Sequence, residues 1–279
     1  MTQAYASSQA RANGARRPAP ALRLSALAHA AVVLGVALHP DAWPWGLATL
    51  AANYVALGAA VFFPRSALLG PNISRLPRAA VERGEVCITF DDGPHPDITP
   101  RVLDILDRHG AKATFFCVGE RVAAHPDIAR EIARRGHTVE SHSHRHAPVF
   151  ALYGLRGLRR EVQAAQRVIA QATGREPVFF RAPAGFRSPV LDPVLVSLGL
   201  RYASWTRRGF DTADRNAGRV LRRLTRGLAA GDILLLHDSV PRVVEVLPPL
   251  LAELRERSLK PVSLPAGCDD GRGDDGRDA

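Results

Sequence analysis

Thr89-Phe90-Asp91-Asp92-Gly93-Pro94 decides how the chain is read. Just before it, Val86, Cys87 and Ile88 form a short apolar run that reads as a buried strand. Gly93-Pro94 breaks that strand. Two carboxylates therefore stand side by side where a strand ends and a loop begins. In an α/β protein that is the open end of the sheet, where ligands bind. Adjacent aspartates repel, and a cation or a shared proton relieves the repulsion. A metal would let one carboxylate ligate and leave the other free as a base. Asp-Asp-Gly is also ordinary turn chemistry, so the hexapeptide needs support from the rest of the chain.

Downstream, strands alternate with helices. Strands are expected at 85–90, 113–118, 138–141, 178–181, 200–205 and 232–236. Helices are expected at 99–108, 126–135, 155–172, 188–198, 217–228 and 240–257, the last interrupted near Pro248-Pro249. This βα alternation predicts a parallel sheet, either a barrel or doubly wound. The Gly- and Asp-rich residues 265–279 read as a disordered acidic tail.

Upstream, residues 65–84 carry Pro71 and Pro77 and read as a linker to a domain over 85–264. Before it lie two apolar stretches, Leu24 to Leu38 and Trp43 to Phe63, separated by His39-Pro40-Asp41-Ala42. The second is long enough to span a bilayer and the first is marginal. Residues 21–64 are therefore expected to form a membrane-embedded helical hairpin. Residues 1–20 read as a disordered basic arm. Arg16, Arg17 and Arg23 precede the hairpin and Arg65, Arg75 and Arg78 follow it, so the positive-inside rule puts both ends, and the domain, in the cytoplasm. If Trp43 to Phe63 alone crosses, the domain faces outward instead.

The 279 residues carry a formal charge of +10, nearly all from arginine, since Lys112 and Lys260 are the lysines. A basic surface suits anionic lipid or phosphate. No nucleic-acid motif accompanies the charge, so nucleic acid is not an expected partner, and no protein partner is expected. Cys87 and Cys117 fall in expected core strands and read as buried thiols, which fits a reducing compartment. Cys268 leaves the cysteine count odd.

Four further polar groups follow strands. His142-Ser143-His144-Arg145-His146 offers imidazoles on a strand-to-loop segment, because Pro148 disfavours a helix there. Two histidines plus one aspartate make an open zinc site, with a position left for water. Arg181 ends an apolar strand and could hold a carboxylate ionised. Trp205 to Asp211 follows another strand. Leu234-Leu235-Leu236-His237 ends in a histidine suited to general-acid work. Each is weak alone, yet all five occupy C-terminal strand ends, where such folds place their chemistry.

TFDDGP, HSHRH, RAPAG, Trp205–Asp211 and Leu235-Leu236-His237 occur in the order found in the polysaccharide deacetylase family, the one with the NodB-homology domain, and the chain resembles it over about 85–263. The resemblance implies a distorted (β/α)7 barrel with one divalent metal, usually zinc. It implies Asp92, His142 and His146 as metal ligands and Asp91 as catalytic base. Arg181 would orient Asp91, His237 would be the acid, and Asp211 would support it. Ser143, Pro183, Phe186 and Trp205 are expected at the substrate. The implied reaction is hydrolysis of an N-acyl group, acetyl by default, from an amino sugar in a polysaccharide, oligosaccharide or glycolipid.

Three positions depart from the family pattern. Ala184 stands where an aromatic is usual, Arg208 where an aspartate is usual, and Thr212 where a tryptophan is usual. They point to a changed acceptor or acyl group. They also leave a second reading open, a catalytically impaired carbohydrate-binding module that kept the fold.

Overall fold

Residues 18–267 are described by a computed structural model. Cys268, most of the expected basic arm and most of the expected acidic tail lie outside them. Among the described residues, eight parallel strands make one curled sheet: β1 (Glu85–Asp91), β2 (Thr114–Cys117), β3 (Thr138–Ser141), β4 (Phe179–Phe180), β5 (Arg201–Tyr202), β6 (Arg207–Arg208), β7 (Ile233–His237) and β8 (Lys260–Val262). The order is β5-β4-β3-β2-β1-β7-β6, with β8 paired to the start of β1. The βα alternation is as expected, although β6, made of two arginines, and β8, which holds Lys260 and Pro261, lack the apolar runs that mark the other strands.

Side-chain alternation explains both faces of this sheet. Val86, Ile88 and Phe90 of β1, Phe115 and Cys117 of β2, and Leu234 and Leu236 of β7 share one buried cluster with the outer helices. Those helices include α4 (Thr99–Arg108), α6 (Pro126–Arg134), α9 (Ala217–Thr225) and α10 (Arg242–Glu256). The alternate residues Cys87, Phe116, Phe179, Ile233 and Leu235 turn inward and fill the concave side. Continuing the period puts Asp91, His142, Arg181 and His237 inward at the C-terminal rim. On the far side of β4, Phe180 packs with Leu158 and Val162 of α7 (Leu155–Thr173) and Leu191 and Leu195 of α8 (Leu191–Ser197). Cys87 and Cys117 are buried in the core, as expected.

α10 runs unbroken through Pro248 and Pro249, against the expected interruption. A helix-interior proline costs about 3 kcal/mol. Leu247, Leu250, Leu251 and Leu254 are all buried on this helix, and each contributes roughly 1.5–3 kcal/mol. Tertiary burial therefore outweighs local propensity. α5 (Gly119–Ala124) is an additional short helix ahead of α6.

The barrel does not close by strand pairing. β5 and β6 are the two ends of the sheet order, and residues 73–76 staple the gap. Ile73 N–H donates to Tyr202 O at 3.0 Å, Ser204 N–H to Ile73 O at 2.9 Å, and Leu76 N–H to Gly231 O at 2.8 Å. Leu69, Ile73, Leu76 and Ala80 are buried. The buried Arg187 donates to the carbonyls of Gly70 and Pro71, both at 2.9 Å. The segment expected as a linker, which includes α3 (Arg78–Glu82), is thus an integral wall of the domain. Its prolines and polar residues hide this, because the apolar anchors are spaced singly.

α1 (Pro20–Leu38) and α2 (Trp43–Ala60) pack against one another across a short 3-10 turn at Pro40–Ala42. Gly46 permits the close approach, since a Cβ there would lie 2.9 Å from Val32 Cγ1. Polar groups meet in the seam. Asn53 Nδ2 donates to Ser25 Oγ at 2.9 Å, and His29 Nε2 lies 3.1 Å from Tyr54 Oη. Leu24, Leu27, Val33, Leu34, Trp45 and Val55 point outward and are exposed. Among the described residues, α1 alone is long and apolar enough to cross a membrane. This reverses the expected ranking of the two stretches. Asn53, Tyr54 and the tryptophans lower the hydropathy of α2.

Candidate active site

The rim gathers the expected residues in three linked groups. In the first, β1 and β7 run in register so that Asp91 pairs with His237. Arg181, just past β4, is fully buried and donates from Nη1 to Asp91 Oδ1 at 2.6 Å and to Thr89 Oγ1 at 2.8 Å. Its Nη2 donates to Ser204 O at 2.8 Å, and its Cζ stands 3.9 Å from the Phe116 ring centroid. A guanidinium so surrounded is fixed in place, and it supplies the counter-charge to a carboxylate that is itself buried.

The second group is Asp92, His142 and His146. Asp92 Oδ1 lies 3.4 Å from His142 Nε2 and 3.1 Å from His146 Nε2. One donor atom from each of the three residues falls within 4.8 Å of the others. His142 Nδ1 donates to Arg181 O at 2.9 Å, which leaves Nε2 as the ring's lone-pair nitrogen. Asp92 Oδ1 is buried without a hydrogen-bond partner. Burial opposes charge on Asp92, but the proximity of the two imidazoles outweighs it and holds the carboxyl far below the usual range. A lone carboxylate oxygen facing two imidazole nitrogens fits a divalent cation, and the nitrogen-oxygen donor set suits zinc.

The third group is His237 with Asp211. Asp211 Oδ1 lies 2.8 Å from His237 Nδ1, and Oδ2 accepts from the His237 backbone N–H at 2.8 Å. One carboxylate thus fixes both ring and backbone. Burial disfavours the imidazolium, but the hydrogen bond and charge of Asp211, aided by Asp91 and Asp92, raise the His237 pKa above its ordinary value. Arg208 in place of the usual aspartate does not strip His237 of a partner, because Asp211 fills that place.

Several builders of these loops were not anticipated. Arg121 Nη1 donates to the Asp92 backbone carbonyl. Glu161, buried on α7, accepts from Arg145 N at 3.0 Å and from Arg145 Nε at 2.8 Å, pinning the loop between the two histidines. The signal for Glu161 was present, since it interrupts a buried stripe of Leu158, Val162, Ala165 and Ile169. Asp238 accepts from Thr99 Oγ1 at 2.5 Å and occupies the space a Cβ on Gly93 would need. Burial pushes the Asp238 carboxyl up to about 7. The left-handed backbones of Asp92, Ser143, His146, Ala184 and Phe210 also fall in these loops, at φ of 51–69°. Such strain concentrates where a site over-determines its backbone.

The four residues expected at the substrate divide. Ser143 is fully buried and its Oγ accepts from His146 N at 3.0 Å, so it shapes the loop instead of facing a ligand. Pro183 and Trp205 are buried as well. Phe186 is the one with an exposed ring, and it meets Phe62 edge-to-face at 5.2 Å. Gly185, at φ +79°, lets the segment after α2 dock on this rim, since a Cβ there would lie 2.5 Å from Trp205 Cη2 and 2.9 Å from Pro64 Cβ.

The family model for polysaccharide deacetylases matches residues 78–203. A chitooligosaccharide deacetylase from Azorhizobium caulinodans is 34% identical over 168 residues, covering 59% of this chain and 78% of that protein. The chain belongs to the polysaccharide deacetylase family. The peptidoglycan-N-acetylglucosamine deacetylase PgdA of Listeria monocytogenes is 31% identical over 192 residues, 69% of this chain but 40% of that protein's length. A solved family 4 carbohydrate esterase pseudoenzyme from Bacillus anthracis superposes with a TM-score of 0.64 at 26% identity, covering 70% of this chain and 68% of that one. The matched stretch ends at residue 203. Asp211 and His237 lie beyond it, and the β1–β7 register sets His237 beside Asp91.

Proposed function

We propose that the chain is a metal-dependent N-deacetylase of N-acetylated amino sugars. The observation that carries this reading is the orphaned Asp92 Oδ1 facing His142 and His146. The Arg181–Asp91 and Asp211–His237 pairs meet at the ends of the adjacent strands β1 and β7. A divalent cation held by Asp92, His142 and His146 supplies Lewis acidity toward water and the acetyl carbonyl. Asp91, oriented by Arg181, takes a proton from the attacking water. His237, kept charged by Asp211, gives a proton to the leaving amine. The products are acetate and a free amino sugar. The names of the relatives, chitooligosaccharide and peptidoglycan-N-acetylglucosamine deacetylases, support N-acetylglucosamine as the sugar. Intact Asp91, Asp92, His142, His146 and His237 favour the enzyme over an impaired binding module.

The test is purification of the full chain, metal analysis, and acetate release from tri-N-acetylchitotriose. About one equivalent of Zn²⁺ per chain is expected, with activity lost on chelation and restored by Zn²⁺. A metal-loaded chain that binds the oligomer and releases no acetate would instead be the binding module.

We further propose that α2, though less apolar than α1, crosses the membrane as its packed partner. An apolar outer surface around a hydrogen-bonded polar seam is the arrangement lipid favours. Two crossings and basic flanks on both sides put the catalytic domain in the cytoplasm. A periplasm-only alkaline phosphatase fused after Ala279 is expected to stay inactive. Activity there would mean one crossing and an outward-facing domain.

A further inference from the structure

A groove of about 460 Å³ lies where the chain leaves α2 and meets the rim. Phe62, Phe63 and Arg65 form one wall, and Trp205, Arg208 and Phe210 the other. Phe62 and Phe63 are 65% and 63% exposed at the foot of the apolar helix pair, which makes this wall continuous with the expected lipid-facing surface. Arg65 is held at the groove by donation from Nη1 to Thr206 O at 3.2 Å.

Arg208 is the unusual member. Neighbouring Arg207 is spent on structure, with its Nε 2.5 Å from Asp232 Oδ2. The Arg208 side chain has neither an ion pair nor a hydrogen bond among the described residues, and its Nε is buried without a partner. Its Cζ stands 4.8 Å from the Phe210 ring centroid and 5.5 Å from that of Trp205, which clamp the guanidinium. A desolvated guanidinium edge without an acceptor is costly. A bound anion offsets that cost, and phosphate matches the planar fork. The same Trp205 ring centroid lies 5.7 Å from the Cζ of Arg181, the residue that holds Asp91. The groove is therefore one aromatic ring away from the catalytic pair.

We infer that this groove holds the phosphate of a membrane-lipid-linked amino sugar, with its lipid tail along Phe62 and Phe63 and its N-acetyl group at Asp91. The inference rests on the deacetylase reading and names the substrate class for it. A neutral glycan would leave Arg208 without an acceptor, and a soluble sugar phosphate would leave Phe62 and Phe63 bare. The lipid-linked sugar uses both walls, and it suits either side of the membrane.

The test uses the full chain in phosphatidylcholine nanodiscs with three substrates. These are a polyprenyl diphosphate-linked N-acetylglucosamine, N-acetylglucosamine 1-phosphate and tri-N-acetylchitotriose. The lipid-linked sugar is expected to have the highest kcat/KM. Arg208→Gln is expected to reduce that preference about 10–100-fold, mainly through KM, the range for a lost hydrogen bond to a charged group. Full metal content in the variant confirms that it folds. Equal use of the 1-phosphate, or an equal loss on all three substrates, overturns the inference. A binding arm separates its failure from that of the deacetylase reading. Farnesyl phosphate is expected to bind the wild-type chain and to bind Arg208→Gln and Phe62→Ala more weakly, with no turnover needed. Unchanged binding in both variants overturns the groove even if deacetylation stands.

Discussion

Asp91→Asn is expected to lower kcat by about 10²–10⁴ while metal content stays at the wild-type level. The substitution keeps the size of the side chain and its contact with Arg181 Nη1, but asparagine cannot take a proton from water. Asp91 Oδ2 lies 3.8 Å from His142 Nε2, so it faces the metal-ligand group without completing it. His142→Ala makes the contrast. It removes a nitrogen that stands 3.4 Å from Asp92 Oδ1, and both metal and activity are expected to go. Metal analysis and initial rates on the same preparations check the pair. Near-normal turnover by metal-loaded Asp91→Asn would remove Asp91 from the base role.

The second large effect is on stability. Arg181→Met is expected to destabilise the domain by about 3–5 kcal/mol, because it leaves the buried Asp91 carboxylate without its partner. The guanidinium also satisfies Thr89 Oγ1 and the carbonyls of Ala203 and Ser204, so its loss strips several acceptors together. Asp91→Asn combined with Arg181→Met removes the uncompensated charge. The double variant is expected to be more stable than Arg181→Met alone. Urea unfolding of the wild type, both single variants and the double variant measures the coupling. Strict additivity would mean that the Asp91 charge is not what Arg181 compensates.

The candidate site is legible in the residues from 89–94 onward, because its members follow strands and strands announce themselves by short apolar runs. The period of two along β1 and β7 carries this further, turning Asp91 and His237 to the same face. Glu161 and Asp238 were harder to find. Both act on other segments, Glu161 on the backbone N–H and guanidinium of Arg145, and Asp238 on the Thr99 hydroxyl beside the Gly93 turn. Ser143 shapes its loop, and a serine between two ligand-type histidines gives no sign that its hydroxyl is taken by His146 N–H.

The residues alone imply the βα alternation, the strand-end position of the candidate site groups and the two apolar stretches. All three are local properties, carried by runs of residues whose spacing repeats within one element. Only the tertiary structure decided that residues 73–76 staple the gap between β5 and β6, and that α10 runs through two prolines. It alone brought Phe62 beside Phe186 and left Arg208 unpaired above Trp205. Those outcomes depend on partners far apart in the chain, whose meeting is settled by packing and by the balance of burial against local preference.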